Sequence, residues 1–287
     1  MENFSHHSSL SPQEFIRLAL AEDIGTGDHT TLACIPREQQ GRATLWVKGD
    51  GVLAGLAYAK MVLHAVDPQL VLRTHCTDGE EVKAGTPAMD VEGRVASILQ
   101  AERLLLNIMQ RMSGIATRTR CWSRVISHTP CRLLDTRKTT PLNRTLEKEA
   151  VRLGGGVNHR LGLFDDILVK DNHVDACGGV PEALAAVRSY LANQQLALPV
   201  IFEVRSMQEL QTLRQAGEVD RILLDNFSVD ALRDAVAWLG PQVVTEASGT
   251  IREQNLLAYA ETGVHYLSIG ALTHSVEALD LSLKITA

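Results

Sequence analysis

The sequence predicts an α/β protein in which a small N-terminal α+β, sandwich-like domain precedes a parallel α/β barrel, complete or incomplete. From Cys131 onward, short apolar runs alternate with helical patterns, which is typical of a parallel sheet. Six or seven such units follow one another. This run favours a barrel, whose eight-stranded form needs about 250 residues, over an open sheet.

The predicted domain boundaries follow from where the pattern changes. Over residues 41–93, short β-like runs and turns surround one helical run, which is typical of a small α+β domain. We therefore expect an N-terminal domain with its connecting helix over 1–115, a barrel over 116–274, and a C-terminal helix or tail over 275–287 that returns to the N-terminal domain.

The composition excludes several classes of protein. With 287 residues and 45% hydrophobic content, the chain can build a large core. No apolar run approaches the ~20 residues of a membrane span, and residues 1–10 lack the basic start and apolar centre of a signal peptide, so we expect a cytoplasmic protein. Five cysteines without a C-x-x-C pair disfavour a disulfide framework and a thiolate zinc site. A pI near 5.9 and 4% aromatic residues disfavour nucleic-acid binding.

Two helices are predicted with particular clarity in the first part of the chain. The first has Ser11 as N-cap, Pro12 at the first helical position and Glu14 in a capping box. The second runs from 95 to about 125, with Gly114 interrupting its apolar stripe. Arg111 lies on another ridge of this helix, in a row of polar residues four apart, and the helical pattern alone favours a solvated face for that row.

The barrel strands and helices can be placed from the alternation itself. The predicted strands are 132–134, 167–169, 200–202, 221–224, 243–244 and 266–269. The predicted helices between them are 142–153, 181–192, 207–216, 229–239 and 251–261. The carboxyl ends of successive barrel strands converge, so the residues that follow these strands are expected to share one site.

Charged or small residues stand at each of those strand ends. In chain order they are Arg137 and Lys138, Lys170, Glu203, Asp225, Glu246 with Ser248 and Gly249, and Gly270. Arginine binds carboxylates and phosphates through its planar fork, and His159 and Arg160 add to the cationic set. Local positive charge in a chain of net charge −6 predicts an anionic small ligand.

The carboxylates and glycines predict the rest of the site. Glu203 and Asp225 can lie near bound phosphates if Mg²⁺ lies between the carboxylates and the phosphates, because that ion takes oxygen ligands. The alternative is that each carboxylate only pairs with a nearby lysine. The segments Ser248-Gly249-Thr250 and Gly270-Ala271 precede helices, where free backbone N–H groups commonly hold a phosphate. Together these residues predict a phosphorylated substrate with Mg²⁺ and a second anion held by arginines.

Several motifs resemble the quinolinate phosphoribosyltransferase family over nearly the whole chain. The resemblance begins at EDIGTGDHTT from Glu22, and DTRKTTP with GGGVNHR is its most specific combination. The remaining motifs are Glu102-Arg103 through Asn107, Gln110-Arg111, Ser113 to Thr117, LEKEAV, Leu168 to His173, Leu224-Asp225-Asn226, Glu246 to Gly249, and Ser268 to Ser275. The resemblance implies that quinolinate and phosphoribosyl pyrophosphate give nicotinate mononucleotide, pyrophosphate and CO₂, with Mg²⁺, in de novo NAD synthesis.

The resemblance also implies a role for each site residue. Quinolinate would be held by Arg111, Thr136, Arg137, His159, Arg160 and Lys170. Lys138 and Lys170 would face the pyrophosphate and the reacting centre, with Glu203 and Asp225 serving the ribose hydroxyls and the metal as the other catalytic groups. The 5′-phosphate of phosphoribosyl pyrophosphate would be bound by Ser248, Gly249, Thr250, Gly270 and Ala271. The family's homodimer would share its site, with Arg111 entering the neighbouring subunit's pocket.

Two departures and three alternatives accompany this resemblance. The family usually has T-T-P-G-L-R where this chain has Leu142 and Asn143 after Pro141, and Ser-Gly-Gly or Ser-Gly-Asn where this chain has Thr250. A paralogue of the molybdenum-transport-associated type would use the same fold for another acceptor. A Schiff-base aldolase could use Lys170. A catalytically silent scaffold is the third alternative.

Overall fold

The computed structural model describes residues 10–286. The expectation that the chain has no signal peptide falls on residues 1–9, which lie outside the described residues. The described chain divides into two compact units. The first holds the chain up to Arg118, Thr140–Gly154 and the residues from Val276 onward, and the second holds Thr119–Thr139 and Gly155–Ser275. The division therefore falls inside the long connecting helix.

The elements follow in chain order. Up to residue 125 they are α1 (Pro12–Ile24), α2 (His29–Cys34), β1 (Gln40–Val47), β2 (Gly51–Val52), α3 (Leu56–Val66), β3 (Val71–Thr74), β4 (Glu81–Val82), β5 (Pro87–Arg94) and α4 (Val95–Val125). From residue 132 they are β6 (Arg132–Leu134), α5 (Arg144–Leu153), β7 (Ile167–Val169), α6 (Asp171–Cys177), α7 (Val180–Gln194), β8 (Val200–Val204), α8 (Met207–Ala216), β9 (Arg221–Asp225), α9 (Val229–Leu239), β10 (Thr245–Ser248), α10 (Glu253–Ala260), β11 (Tyr266–Ser268), α11 (Ala271–His274) and β12 (Leu281–Thr286).

The first unit is built on a four-stranded antiparallel sheet in the order β12-β1-β5-β3. The predicted cap of α1 is present, because the Ser11 hydroxyl accepts a hydrogen bond from the Glu14 N–H. In β1, Ala43, Leu45 and Val47 are fully buried at every second position. This period of two places one face of the strand on the core.

The end of the chain corrects one prediction. Residues 281–286 form the strand β12, not a helix, and Leu283 pairs with Leu45 of β1. The physical reason is again a period of two, since Leu281 and Leu283 are buried while Lys284 is exposed. The alternation of apolar and polar residues covers all six positions from Leu281 to Thr286, which is the signal that identifies a strand.

Gly114 does not break α4, which is continuous from Val95 to Val125 as predicted. A Cβ at Gly114 would lie 2.1 Å from the carbonyl oxygen of Glu277. Glycine is therefore required here because another stretch of the first unit passes against the helix backbone.

The second unit contains a six-stranded parallel sheet in the order β6-β11-β10-β9-β8-β7. From β7 to β11, strands consecutive in the chain are adjacent in the sheet, and β6, the first strand, pairs with β11, the last. Within the described residues β6 and β7 do not pair, but Val157 forms a parallel bridge with Leu134. The predicted parallel barrel is confirmed, and it is an incomplete one.

One strand of this sheet was misplaced by the sequence prediction. The strand expected at 243–244 is β10, which begins at Thr245 and includes Glu246 and Ser248. Thr245 and Glu246 are buried, so this strand carries polar residues in its centre and gives no apolar run. Separately, no helix within residues 10–286 is both long and apolar enough to span a bilayer.

Candidate active site

A cavity of about 600 Å³ opens at the carboxyl ends of the parallel strands. It is lined by all but one of the predicted site residues, namely Thr136, Arg137, Lys138, His159, Arg160, Lys170, Glu203, Asp225, Ser248, Gly249, Thr250, Gly270 and Ala271. The exception is Arg111, which belongs to the first unit. The site residues predicted in the barrel therefore line one cavity at the strand ends.

The order of the strands fixes the order of the groups around the cavity. Lys170 follows β7, Glu203 lies in β8, and Asp225 ends β9. The Ser248 hydroxyl, on β10, donates a hydrogen bond of 2.6 Å to Asp225 Oδ1. On the other side, a Cβ at Gly270 would lie 2.9 Å from Cδ of Lys138. Carboxylates thus occupy two neighbouring strands, with lysines on either side of the ring.

The two carboxylates influence each other. Burial raises the pKa of Glu203, the charge of Asp225 raises it further, and Lys170 opposes both. Asp225 is held in place through both oxygens, since the Asn226 side-chain amide donates to Oδ2 at 2.7 Å. A cation placed between Glu203 and Asp225 would relieve their repulsion.

The donor set agrees with a magnesium site completed by substrate. Within the described residues, no group of three or more His, Cys, Asp or Glu side chains could hold a metal ion. Glu203 and Asp225 supply only two carboxylates. Mg²⁺ is commonly bound by one or two carboxylates together with substrate phosphates and water, so these two residues fit it.

The segment after β10 has the backbone expected of a phosphate-binding turn. Gly249 has a φ of +87°, and a Cβ there would lie 2.0 Å from Oδ1 of Asn226. Only glycine fits such a position without displacing its neighbour. Thr250 follows with a φ of +49°, a region that β-branched residues rarely adopt. The loop is therefore tightly determined, with its backbone exposed to the cavity.

The cations of the cavity are held in different ways. Arg160 is 9% exposed and donates a hydrogen bond of 3.1 Å to the backbone carbonyl of Asp166. Burial lowers its pKa, and the charge of Arg137 lowers it further. Arg137 and Lys138 are exposed, and the backbone N–H of Lys138 donates to the Thr136 hydroxyl at 3.0 Å. Two arginines so close together favour a ligand with two negative groups.

A buried ionic network lies at the cavity and joins the predicted residues His159 and Glu246 to Arg221 and Ser268, which were not predicted. Glu246 is 0% exposed. Arg221 donates to its Oε2 at 2.9 Å, His159 Nε2 lies 3.3 Å from its Oε1, and the Ser268 hydroxyl also binds Oε1. The available signal was that Glu246 follows one predicted strand, 243–244, and that Ser268 lies in another, 266–269.

Arg111 has partners inside the first unit. Its Nε donates to Glu147 Oε1 at 2.8 Å, and a terminal nitrogen donates to the Thr140 hydroxyl at 2.9 Å. The solvated face favoured by the helical pattern alone therefore does not describe this residue. Glu147 is 1% exposed, so the pair combines one buried and one partly exposed side chain.

The incomplete parallel barrel and its cavity of opposed charges define an enzyme for anionic, phosphorylated substrates. Comparisons with known proteins identify the family to which this enzyme belongs. Residues 28–113 match the family model of the quinolinate phosphoribosyl transferase N-terminal domain, and residues 115–284 match that of the C-terminal domain. The chain belongs to the quinolinate phosphoribosyltransferase family, and the resemblance drawn from its motifs is confirmed.

Individual relatives agree with this assignment. The chain is 44% identical to the chloroplastic nicotinate-nucleotide pyrophosphorylase (carboxylating) of Oryza sativa, over 97% of this chain and 79% of that protein. It is 41% identical to the probable enzyme of the same name from Bacillus subtilis, over 92% and 90% of the two chains. The solved nicotinate-nucleotide pyrophosphorylase from Francisella tularensis is similar throughout, with a TM-score of 0.90, 35% identity and 100% coverage of both chains.

Proposed function

We propose that this chain transfers the phosphoribosyl group of phosphoribosyl pyrophosphate to quinolinate, with decarboxylation. The products are nicotinate mononucleotide, pyrophosphate and CO₂, and the reaction belongs to de novo NAD synthesis. The observation that carries the proposal is the grouping of charges in one cavity, with Glu203 and Asp225 on neighbouring strands and cations on both sides. The relatives' names support the same reaction.

The arginines support a dicarboxylate as acceptor. Arg137 and Arg160 line the cavity, and guanidinium groups bind carboxylates through two parallel hydrogen bonds. Arg160 is already fixed by the Asp166 carbonyl, so little side-chain entropy remains to be lost on binding. Quinolinate carries two carboxylates on adjacent ring carbons and so suits two closely spaced arginines.

The first chemical step exchanges one bond at the anomeric carbon of the ribose. The ring nitrogen of quinolinate supplies an electron pair to that carbon as the bond to pyrophosphate breaks, and pyrophosphate leaves with its electrons. The ribose is cationic in the transition state and the leaving group is anionic. Glu203 and Asp225 near the ribose, and Lys138 and Lys170 near the pyrophosphate, match these charges.

Magnesium is the proposed cofactor, held by Glu203 and Asp225. When bound, Mg²⁺ neutralises charge on the pyrophosphate and helps it to leave. Ser248 and Asn226 orient Asp225 for this task, because each donates a hydrogen bond to one of its oxygens. Lone pairs on both oxygens remain for the ribose hydroxyls and the metal.

Decarboxylation follows from the product of the first step. The alkylated ring nitrogen is cationic, so it stabilises the electron pair left when the adjacent carboxylate departs as CO₂. That ring carbon then takes up a proton. The chain's contribution is to hold the reactants in place, and positioning alone can supply several kcal/mol, up to roughly 7–11 kcal/mol in the best cases.

We also propose a homodimer with an active site shared between subunits. Arg111 belongs to the first unit, yet it resembles the arginine that family members place in a neighbour's pocket. Its side chain is 34% exposed, so Arg111 reaches the surface of its own chain. A cytoplasmic location remains a prediction from sequence, and the rice relative's name places that protein in the chloroplast.

The alternatives lack comparable support. The relatives reported above carry no name that favours the transport-associated paralogue, the Schiff-base aldolase or a scaffold. The deciding assay incubates the protein with quinolinate, phosphoribosyl pyrophosphate and Mg²⁺. Nicotinate mononucleotide formed together with pyrophosphate supports the proposal. A borohydride-trapped adduct on Lys170 with a carbonyl substrate, and no nucleotide product, would favour the aldolase.

A further inference from the structure

His159 was grouped with the cations of the site, but its hydrogen bonds describe a neutral ring. The backbone N–H of Arg160 donates to Nδ1 of His159 at 2.7 Å. Nδ1 must offer a lone pair to accept this bond, so it carries no proton. Nε2 then bears the ring hydrogen and donates it towards Glu246 Oε1, 3.3 Å away.

If Nδ1 of His159 were protonated, its N–H would face the backbone N–H of Arg160, and two donors would meet. The backbone on the Arg160 side of the ring is tied to Nδ1 itself. On the other side, the backbone N–H of His159 donates to Asp135 Oδ1 at 2.8 Å. The backbone on both sides of the ring is therefore anchored. Turning the ring away would also break its contact with Glu246, and the side chain is only 7% exposed.

Glu246 is the group that selects this tautomer. Burial raises the pKa of Glu246, but hydrogen bonds from His159, Ser268 and Arg221 outweigh burial and lower it. As a carboxylate it only accepts hydrogen bonds, so the ring nitrogen that faces it must carry the hydrogen. Arg221 supplies the compensating positive charge at 2.9 Å, and it also lies 5.0 Å from the centre of the Tyr266 ring.

We propose that Glu246 and His159 are positioning residues for the acceptor site: Glu246 holds His159 as the neutral Nε2–H tautomer, and His159 holds the backbone from which Arg160 enters the cavity. As far as the acceptor is concerned, this inference rests on the proposed function. The two carboxylates of the acceptor are then met by Arg137 and Arg160, and His159 contributes no charge to them. A cationic His159 that grips the acceptor directly is the competing arrangement.

The charged and titratable groups around His159 come from every neighbouring element. They are Asp135 after β6, Asp166 before β7, Arg221 in β9, Glu246 in β10, and Arg160 beside the ring. The pKa of Asp166 is itself shifted, because burial and then the charge of Asp165 raise it. Because each of these groups could add its own titration to a profile of rate against pH, the protonation of the His159 ring is measured directly.

The direct test is nitrogen NMR of the whole enzyme labelled at histidine. His159→Gln identifies the signals of His159 among those of ten histidines. We expect one protonated and one bare ring nitrogen at about pH 7.5, both without ligand and with quinolinate bound, because Nδ1 accepts the Arg160 N–H. A ring that is protonated on both nitrogens in the quinolinate complex would overturn the proposal.

Kinetics of matched variants give an independent test. The amide of His159→Asn can still accept the Arg160 N–H, whereas that of His159→Gln reaches towards Glu246 instead. We expect His159→Asn to keep the parent's shape of kcat/KM for quinolinate against pH, and Glu246→Gln to raise KM on the order of tenfold with a smaller change in kcat. Ser268→Ala, which removes one donor to Glu246, serves if Glu246→Gln does not fold.

The outcomes separate this inference from the proposed function. If the parent's kcat/KM falls at alkaline pH and both His159 variants lose that fall, His159 acts as an imidazolium and the inference is contradicted. Unchanged KM in both Glu246→Gln and Ser268→Ala would also contradict it. If the parent enzyme forms no product from quinolinate, the proposed function fails, while the protonation of His159 in the free enzyme still decides the tautomer.

Discussion

Arg111 Nε donates a hydrogen bond of 2.8 Å to Oε1 of Glu147, a carboxylate that is almost fully buried. The pair fixes the direction of the guanidinium within the first unit. Removing Arg111 would leave the buried carboxylate of Glu147 without this compensating charge, which destabilises the unit. Two roles therefore meet at Arg111, stabilisation of its own unit and the proposed contact with a neighbour's substrate.

Complementation separates these roles. Arg111→Ala and Lys170→Ala should each be nearly inactive, and re-pairing the two should restore roughly a quarter of the parent activity, because about half of random dimers are mixed and each holds one intact site. Arg111→Gln replaces Arg111→Ala if the latter unfolds, since its amide can still reach Glu147. Mixed dimers verified by mass that remain inactive would place Arg111 in its own chain's site.

Arg137→Gln should abolish quinolinate turnover and leave the fold intact. Arg137 is exposed in the cavity, so its loss leaves no buried partner without a charge. Steady-state rates and thermal unfolding measure the two effects. Arg233→Gln is the matched control, because Arg233 is also exposed and pairs only on α9 with Asp230 among the contacts described. Turnover near the parent's in Arg137→Gln would refute its role.

Quinolinate should be preferred to nicotinate. Nicotinate lacks one carboxylate, so one of the two arginines Arg137 and Arg160 would face an empty position. An unpaired charged group costs about 1–3 kcal/mol, which corresponds to a kcat/KM lower by roughly 5- to 150-fold. Competition assays with both acids measure the ratio. Equal kcat/KM values would mean that the second carboxylate is not recognised.

Leu142→Gly should stabilise the protein. Leu142 has a φ of +66°, and its side chain is 71% exposed, so the conformation is strained and little burial is lost. We expect the free energy of unfolding to rise by about 0.5–1 kcal/mol, after the extra chain entropy of glycine is subtracted. Leu142→Ala is the control, since it shortens the side chain and keeps the strain. Urea unfolding that ranks alanine equal to or above glycine would contradict this explanation.

The sequence predicted the features that depend on local pattern. The strands at 132–134 and 167–169 and the helix at 95–125 have the predicted bounds, because apolar periodicity and turn residues determine them. The convergence of strand ends then assembled the cavity residues in one place. Only Arg111 needed a different route, since it lies on a helix before the first barrel strand.

The features that sequence reasoning missed depend on distant partners. Glu246 is buried in the polar strand β10, and its carboxylate is satisfied by Arg221, 25 residues away, and by His159 and Ser268. Likewise, β12 pairs with β1 although the two are far apart in the chain. Tertiary contacts of this kind override local propensity, and no local pattern announces them.

The most direct test of the proposed reaction follows the carboxyl groups of quinolinate. The acid is labelled either at the carboxyl carbon next to the ring nitrogen or at the other one, and incubated with phosphoribosyl pyrophosphate and Mg²⁺. The first label should appear wholly in CO₂, one CO₂ for each nicotinate mononucleotide and pyrophosphate, and the second wholly in the nucleotide. Label from the first carboxyl retained in the nucleotide, or CO₂ released without pyrophosphate, would contradict the mechanism.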